Sequence, residues 1–120
     1  MTRPWSPAEI EEMVPGIIEA LDEAVLEFRT LTETAAEKVR VYKRARSVAW
    51  LRVQGSNAPE REARVNLHQI EPGVEVGQLE YEADLAEGVV KAQRQHIAAL
   101  QTKAELTRTL LVSARATTAN

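Results

Sequence analysis

The chain has 120 residues, of which 44% are hydrophobic and only 4% aromatic, and its formal net charge is −3. A chain of this length corresponds to one domain. Its content of apolar residues is high enough for a folded core and argues against intrinsic disorder. The absence of cysteine excludes a disulfide framework, a thiolate zinc site and a cysteine nucleophile. No apolar run reaches the ~18 residues of a membrane span, and the first residues lack the apolar core of a signal peptide. We therefore expect a cytoplasmic protein with no membrane partner.

The N-terminal residues predict a short helix over 1–16. Ser6 can cap it, Pro7 suits the first helical position, and Glu9 completes a capping box. Pro15-Gly16 is expected to interrupt this helix, because both residues are unfavourable inside a helix.

A long helix is predicted over 17–54, because this stretch contains neither proline nor glycine and its apolar residues recur at steps of three or four. The predicted stripe consists of Ile18, Leu21, Val25, Phe28, Leu31, Ala35, Val39, Tyr42, Ala45, Ala49 and Val53. A narrow stripe of this length needs a coiled-coil-like partner, either in the same chain or in another. Gly55 stands where a helix-terminating glycine belongs.

A short helix is predicted over 58–70, with Asn57 as its cap and Pro72-Gly73 as the break after it. The residues 74–76 alternate between apolar and polar, but three residues are too few to predict a sheet.

A second long helix is predicted over 78–114. Its stripe matches heptads and consists of Leu79, Ala83, Ala86, Val90, Gln93, Ile97, Leu100, Ala104, Thr107, Leu111 and Ala114. The sequence therefore predicts a single all-α domain over residues 1–120. We expect an elongated helical hairpin or coiled-coil-like bundle with two long helices and short flanking helices. We also expect a homo-oligomer, since narrow alanine-rich stripes stabilise a lone monomer poorly.

The charges are arranged in four blocks along the chain. Residues 1–37 carry nine acidic and two basic side chains, and residues 38–70 carry two acidic and eight basic ones. Residues 71–87 carry six acidic and no basic side chains, and residues 88–120 carry one acidic and five basic ones. Such blocks either attract a charged ligand or set the register of paired helices.

The densest basic block predicts a nucleic-acid interface. Basic side chains can follow the phosphates of a single strand, and aromatic rings can stack on its bases. The candidate binding residues are Lys38, Arg40, Lys43, Arg44, Arg46, Arg52, Arg61 and Arg64. The candidate stacking residues are Tyr42 and Trp50.

The alternative interpretation is that these charges only pair helices. In an antiparallel hairpin, residues 38–52 would lie near 80–94, against the acidic side chains around Glu80, while residues 9–33 would lie near 91–115. A tighter turn would instead pair residues 38–52 with about 62–76. Trp50 and Tyr42 would then both belong to the helix seam. The sequence leaves these interpretations open.

No catalytic or metal site is predicted, and no cofactor is expected. The two histidines, His68 and His96, are 28 residues apart, and neither has a carboxylate at metal-ligand spacing on a convincing face. The serines have no nucleophile-elbow context, and the glycines form no phosphate-binding loop. The sequence therefore predicts a protein that is not an enzyme.

The order of the elements resembles that of small phage proteins of the UvsY-type recombination mediator kind. A basic, aromatic-containing helix over 39–50 is followed by a polar turn, a charged short helix with Glu60-Arg61-Glu62-Ala63-Arg64, and a long helix with Leu110-Leu111-Val112-Ser113-Ala114-Arg115. The resemblance covers roughly residues 20–115.

The resemblance implies a non-enzymatic oligomer in the host cytoplasm. Such mediators bind single-stranded DNA and help to load a RecA-like recombinase in place of a single-strand-binding protein. By position, the DNA would contact Lys38, Arg40, Lys43, Arg44 and Arg46. The other candidate function is that of a structural or interaction protein, such as a phage assembly factor, a scaffold or a coiled-coil adaptor.

Overall fold

The computed structural model describes residues 5–119, so residues 1–4 of the predicted N-terminal helix and Asn120 lie outside it. The described residues form three helices and one two-stranded ribbon. In chain order these are α1 (Pro7–Arg52), α2 (Ala58–Leu67), β1 (Gln69–Glu71), β2 (Val74–Glu75) and α3 (Val76–Ala119). The predicted all-α class with two long helices is confirmed.

Helix α1 begins at the predicted capping box. The Ser6 hydroxyl accepts a hydrogen bond from the Glu9 backbone N–H at 3.2 Å and lies 3.2 Å from the Glu9 carboxylate. The predicted interruption at Pro15-Gly16 is wrong, because α1 continues through both residues to Arg52. Pro15 is exposed, so the Glu11 carbonyl that loses its donor lies on the solvent side. On the opposite, buried side of the helix lie Ile10 and Ile17, seven residues apart. Their burial on both sides of Pro15 stabilises the continuous helix.

We expect Pro15→Ala to stabilise the protein by about 1–3 kcal/mol, because alanine restores the missing helical hydrogen bond, less the entropy that proline removes from the unfolded chain. Pro7→Ala is the matched control, since proline is well tolerated in the first turn. Urea unfolding followed by far-UV circular dichroism measures both changes. An unchanged or lower stability of Pro15→Ala would contradict the account of the unbroken helix.

The apolar stripe of α3 is confirmed at every predicted position, since each of these residues is buried or half-buried. The stripe of α1 is confirmed throughout its C-terminal half, but in its N-terminal half only at Leu21 and Phe28, which are half-buried. In the N-terminal half, Ile18 and Val25 are 54% and 52% exposed, whereas Ile17 and Ala24 are buried. Both pairs are adjacent apolar residues, so their periodicity allows two stripes. The continuous helix decides between them, because it aligns Ile10 with Ile17 and Ala24 at heptad spacing.

The short helix α2 ends at Leu67 rather than at residue 70, and a β-hairpin follows it. Residues 69–71 pair antiparallel with residues 74 and 75. Pro72 and Gly73 form the turn, and Gly73 has a φ of +84°, which glycine adopts without strain. Residues before a proline prefer extended backbone, which favours β1 over another helical turn. The predicted 58–70 helix is therefore three residues too long, and a small sheet is present.

The ribbon also leads directly into α3. The Val76 backbone N–H donates to the His68 carbonyl at 3.0 Å, so α3 begins at Val76 instead of the predicted residue 78. The helix reaches Ala119 instead of residue 114, since neither proline nor glycine follows Gly88.

The chain divides into two compact units, and α1 and α3 both contribute to each of them. Unit 1 joins the segment that ends at Phe28 to the segment that begins at Ala92, and unit 2 is Arg29–Lys91. In unit 1 the two helices run antiparallel: Arg115 and Glu11 form an ion pair at 2.7 Å, and the Gln93 amide donates to the Ala24 carbonyl at 2.9 Å. The second polar seam residue, Thr107, is buried and donates to the Lys103 carbonyl at 2.8 Å.

The core of unit 2 lies where α2 and the start of α3 pack on α1. Ala45 and Ala49 of α1, Val65 of α2 and Val76 of α3 form one buried cluster. Alanine at both α1 positions lets the other helices approach closely. Gly55 lies in the turn between α1 and α2. A Cβ at this position would lie 2.8 Å from the Arg61 backbone nitrogen, so the turn requires glycine here.

Candidate nucleic-acid interface

The structure separates the ten predicted binding and stacking residues into two groups. One group packs α2 and α3 onto α1 and consists of Tyr42, Arg46, Trp50, Arg61 and Arg64. The other group, which we call the outer cluster, is exposed along α1 and consists of Lys38, Arg40, Lys43, Arg44 and Arg52.

Trp50 is held between two arginines of the first group. The Arg61 guanidinium carbon lies 4.3 Å from the centroid of the indole ring, and that of Arg46 lies 5.6 Å away. Arg61 also donates to the Trp50 carbonyl at 2.6 Å. The ring is half-buried and its π-face is engaged by cations of the same chain. This packing does not fit the predicted stacking of Trp50 on nucleobases.

Tyr42 is likewise engaged inside unit 2. Its hydroxyl donates to the Glu80 carboxylate of α3 at 3.0 Å. Burial, followed by this hydrogen bond and the charge of Glu80, raises the pKa of the Tyr42 hydroxyl. The predicted stacking of Tyr42 therefore does not fit the structure either, whereas its predicted alternative place in the helix seam does.

Arg46 forms the link between α1 and α2. It contacts both carboxylate oxygens of Glu62, at 2.5 and 3.0 Å. The hydrogen bond and charge of Glu62 raise the pKa of Arg46. Both of the predicted helix pairings therefore contribute, since residues 38–52 contact Glu80 on one side and Glu62 on the other.

Arg64 belongs to the turn that reverses the chain between α1 and α2. It donates to the Gln54 carbonyl at 2.7 Å and to Glu60 at 2.9 Å. Glu60 also accepts from the Ser56 hydroxyl at 2.8 Å and from its backbone N–H at 2.9 Å, and these bonds lower the pKa of the Glu60 carboxyl. The cap of α2 is completed by Asn57, which accepts from the Glu60 N–H at 2.9 Å as predicted.

Arg61→Ala is expected to destabilise the protein by about 2–4 kcal/mol, since it removes a charged hydrogen bond and a cation–π contact with Trp50. Arg44→Ala is the matched control, because Arg44 is exposed and surface changes are usually within ~0.5 kcal/mol. Urea unfolding gives both values. If Arg61→Ala left the stability unchanged, the packing role assigned to Arg61 would be wrong.

The outer cluster keeps its cationic groups largely available. Among the described residues, Lys38, Lys43, Arg44 and Arg52 form no ion pair, and Arg40 pairs with its helical neighbour Glu37. This pair raises the pKa of Arg40. An exposed pair of this kind contributes little stability, so Arg40 can exchange its partner at small cost.

Arg40, Lys43 and Arg44 lie within about one turn of each other on the same face of α1, as the spacing of three and four residues requires. The positive charges form a short track that suits a phosphate backbone. No hydrogen-bonding group is held in a fixed position for reading base edges, so the track offers phosphate contacts without sequence recognition.

The described residues 5–119 contain no group of three or more side chains that could hold a metal ion. Their helices also include none that is both long and apolar enough for a membrane span.

Comparison of the chain with known protein families, with curated proteins and with solved structures found no match.

Proposed function

We propose that the protein is a non-enzymatic, single-stranded-DNA-binding accessory of DNA recombination that acts in the cytoplasm. The observation that carries the DNA-binding part is the outer cluster, in which five exposed cations lie within fifteen residues of α1 and only Arg40 has a carboxylate partner among the described residues. The recombination part, the loading of a RecA-like recombinase in place of a single-strand-binding protein, is supported by the resemblance to UvsY-type mediators.

The proposed interface differs from the one expected from the sequence. Arg46, Arg61 and Arg64 hold α2 in place, and the rings of Tyr42 and Trp50 are engaged within unit 2. Binding would therefore depend on phosphate contacts alone. For a single strand, log K falls by about 0.7 per contact with log salt, so the three cations that share one face of α1 give a slope of roughly −2.

The experiment that tests this is fluorescence anisotropy of a labelled oligo(dT) across a salt series, with the protein's mass fixed by light scattering. Micromolar or tighter binding at low salt with a slope near this value would support the proposal. A lack of binding at ~50 mM salt would overturn it, because electrostatic contacts are strongest at low salt.

A second candidate is a structural or interaction protein in which the charges serve only to pair helices. Three contacts favour it: Tyr42 with Glu80, Arg46 with Glu62, and Glu11 with Arg115. Tyr42 with Glu80 and Glu11 with Arg115 join different charge blocks, whereas Arg46 and Glu62 both lie in the block 38–70 but on different helices. This candidate predicts no binding of oligo(dT) at any salt concentration and leaves the outer cluster without a ligand.

A further inference from the structure

An apolar groove runs along the side of α1 in unit 2. It has a volume of about 420 Å³ and lies between α1, the β-hairpin and the start of α3. On α1 it is lined by Val41, Arg44, Ala45, Val48 and Arg52. All of these except Arg44 follow steps of four, three and four, which is heptad spacing. Ala45 also belongs to the buried core of unit 2, so this second row of α1 side chains borders the core, and we call this surface the unit-2 groove.

The rim of the unit-2 groove carries opposite charges on its two sides. Arg44 and Arg52 border it on α1, and Glu71 borders it on the hairpin. Val41 and Ile70, which supply part of the apolar lining, are 42% and 36% exposed. Exposed apolar side chains in a charged frame are typical of a surface that another protein segment covers.

Unit 1 has a comparable groove between its portions of α1 and α3, with a volume of about 260 Å³. On α1 it is lined by Val14, Ile17, Ile18 and Leu21; Ile17 is buried, and the other three again follow steps of four and three. Val25 continues this spacing and is as exposed as Ile18. We call this surface the unit-1 face.

The charges beside the unit-1 face are the reverse of those beside the unit-2 groove. Asp22 lies one turn from Ile18 on α1, is exposed, and forms no ion pair with the described residues. Arg108 lies on the α3 side. The unit-1 face is therefore acidic on its α1 side and basic on its α3 side. The unit-2 groove is basic on its α1 side and acidic on its hairpin side, where Glu71 lies.

We propose that the unit-2 groove of one copy binds the unit-1 face of a second copy, so that two antiparallel helix pairs close into a four-helix bundle. The two α1 seams would pack together, with Asp22 of one copy near Arg44 and Arg52 of the other. Arg108 of the first copy would then lie near Glu71 of the second. The contact buries Ile18 and Val25 against Val41 and Val48.

This contact is heterologous, because it joins two different surfaces. Each copy carries one of each, so two copies can bind reciprocally in a closed dimer, or a series of copies can bind head to tail in a ring or a chain. The inference goes beyond the proposed DNA binding and concerns the free protein; because Arg44 and Arg52 belong to both surfaces, DNA and a second copy would compete for them.

The test uses two variants that each remove one surface. Val41→Glu with Arg52→Glu removes the unit-2 groove, and Ile18→Lys with Asp22→Lys removes the unit-1 face. All four side chains are exposed, so we expect the helix content to stay unchanged. Light scattering without DNA should show the wild type above monomer mass and each variant alone as a monomer. An equimolar mixture of the two variants should form dimers and nothing larger, because only one intact pair of surfaces remains.

Three results would overturn the proposal: a monomeric wild type, a variant that keeps the wild-type mass, or a mixture that stays monomeric. Leu51→Glu is the control, since this α1 residue is 84% exposed and lies outside both grooves, and it should keep the wild-type mass. A charge-only series adds a second readout. Arg52→Glu and Asp22→Lys should each weaken association, and their combination in one chain should restore it; a failure of this rescue also contradicts the proposed pairing.

Discussion

An Arg40→Glu, Arg44→Glu double variant is expected to bind oligo(dT) at least about 100-fold more weakly than the wild type, a loss of roughly 2.7 kcal/mol of binding free energy. Both side chains are exposed on the same face of α1, one helical turn apart. The substitutions remove two phosphate contacts and place two carboxylates where the DNA backbone would lie. Fluorescence anisotropy at low salt measures the loss, and the slope of log K against log salt should become shallower by about 1.4.

The control for this variant carries the same change of net charge elsewhere. Lys91→Glu with Lys103→Glu alters two exposed lysines of α3 and should leave most of the affinity in place. Far-UV circular dichroism checks that both variants keep their helix content. If the two variants lost affinity equally, binding would follow the net charge of the protein, and the assignment of the interface to the outer cluster would be wrong.

Val65→Asp is expected to have the largest effect on stability, at several kcal/mol. Val65 is fully buried among Ala45, Ala49 and Val76, so a carboxylate at this position would be removed from water and surrounded by apolar side chains. Helix α2 should detach from α1 and expose Trp50. A red shift of the tryptophan emission in a Trp5→Phe background and a lower urea midpoint would report this.

The control is Ala63→Asp, which adds the same charge on an exposed position of the same helix and should change stability by no more than ~0.5 kcal/mol. The two variants should also differ in their pH dependence. Burial raises the pKa of a carboxyl, so the penalty of Val65→Asp is present at neutral pH and shrinks as the pH falls through that raised pKa. A penalty that stayed constant relative to Ala63→Asp between neutral and acidic pH would contradict burial of residue 65.

The sequence predicted α3 better than α1, and the reason lies in particular residues. In α3 some predicted seam residues also have apolar neighbours, such as Leu85 beside Ala86 and Leu110 beside Leu111, but the alternating steps of four and three continue unbroken from Leu79 to Ala114 and select the buried face. In α1 the pairs Ile17-Ile18 and Ala24-Val25 offer two faces, and Pro15 obscures the continuity that would have linked Ile10 to Ile17. The unit-1 face arises from the same ambiguity, since Ile18 and Val25 are left exposed when Ile17 and Ala24 turn inward.

The candidate interface was predicted as a segment but not as a surface. Charge density along the chain identifies residues 38–52, whereas it cannot show which guanidinium groups meet carboxylates that are distant in sequence. The partner of Arg46 is sixteen residues away and that of Tyr42 is thirty-eight residues away. These contacts depend on where α2 and α3 pack.

The sequence by itself determined the helical class, the two long helices, the caps at Ser6 and Asn57 and the seam of α3. These features depend on side-chain period and on hydrogen bonds within a few residues, which are local properties. The tertiary structure decided the unbroken course of α1 through Pro15, the β-hairpin, the face that α1 buries, and the division of the basic block into packing and exposed groups. Each of these depends on packing between segments far apart in the chain, where the gain from burial exceeds local preferences of about 1–3 kcal/mol.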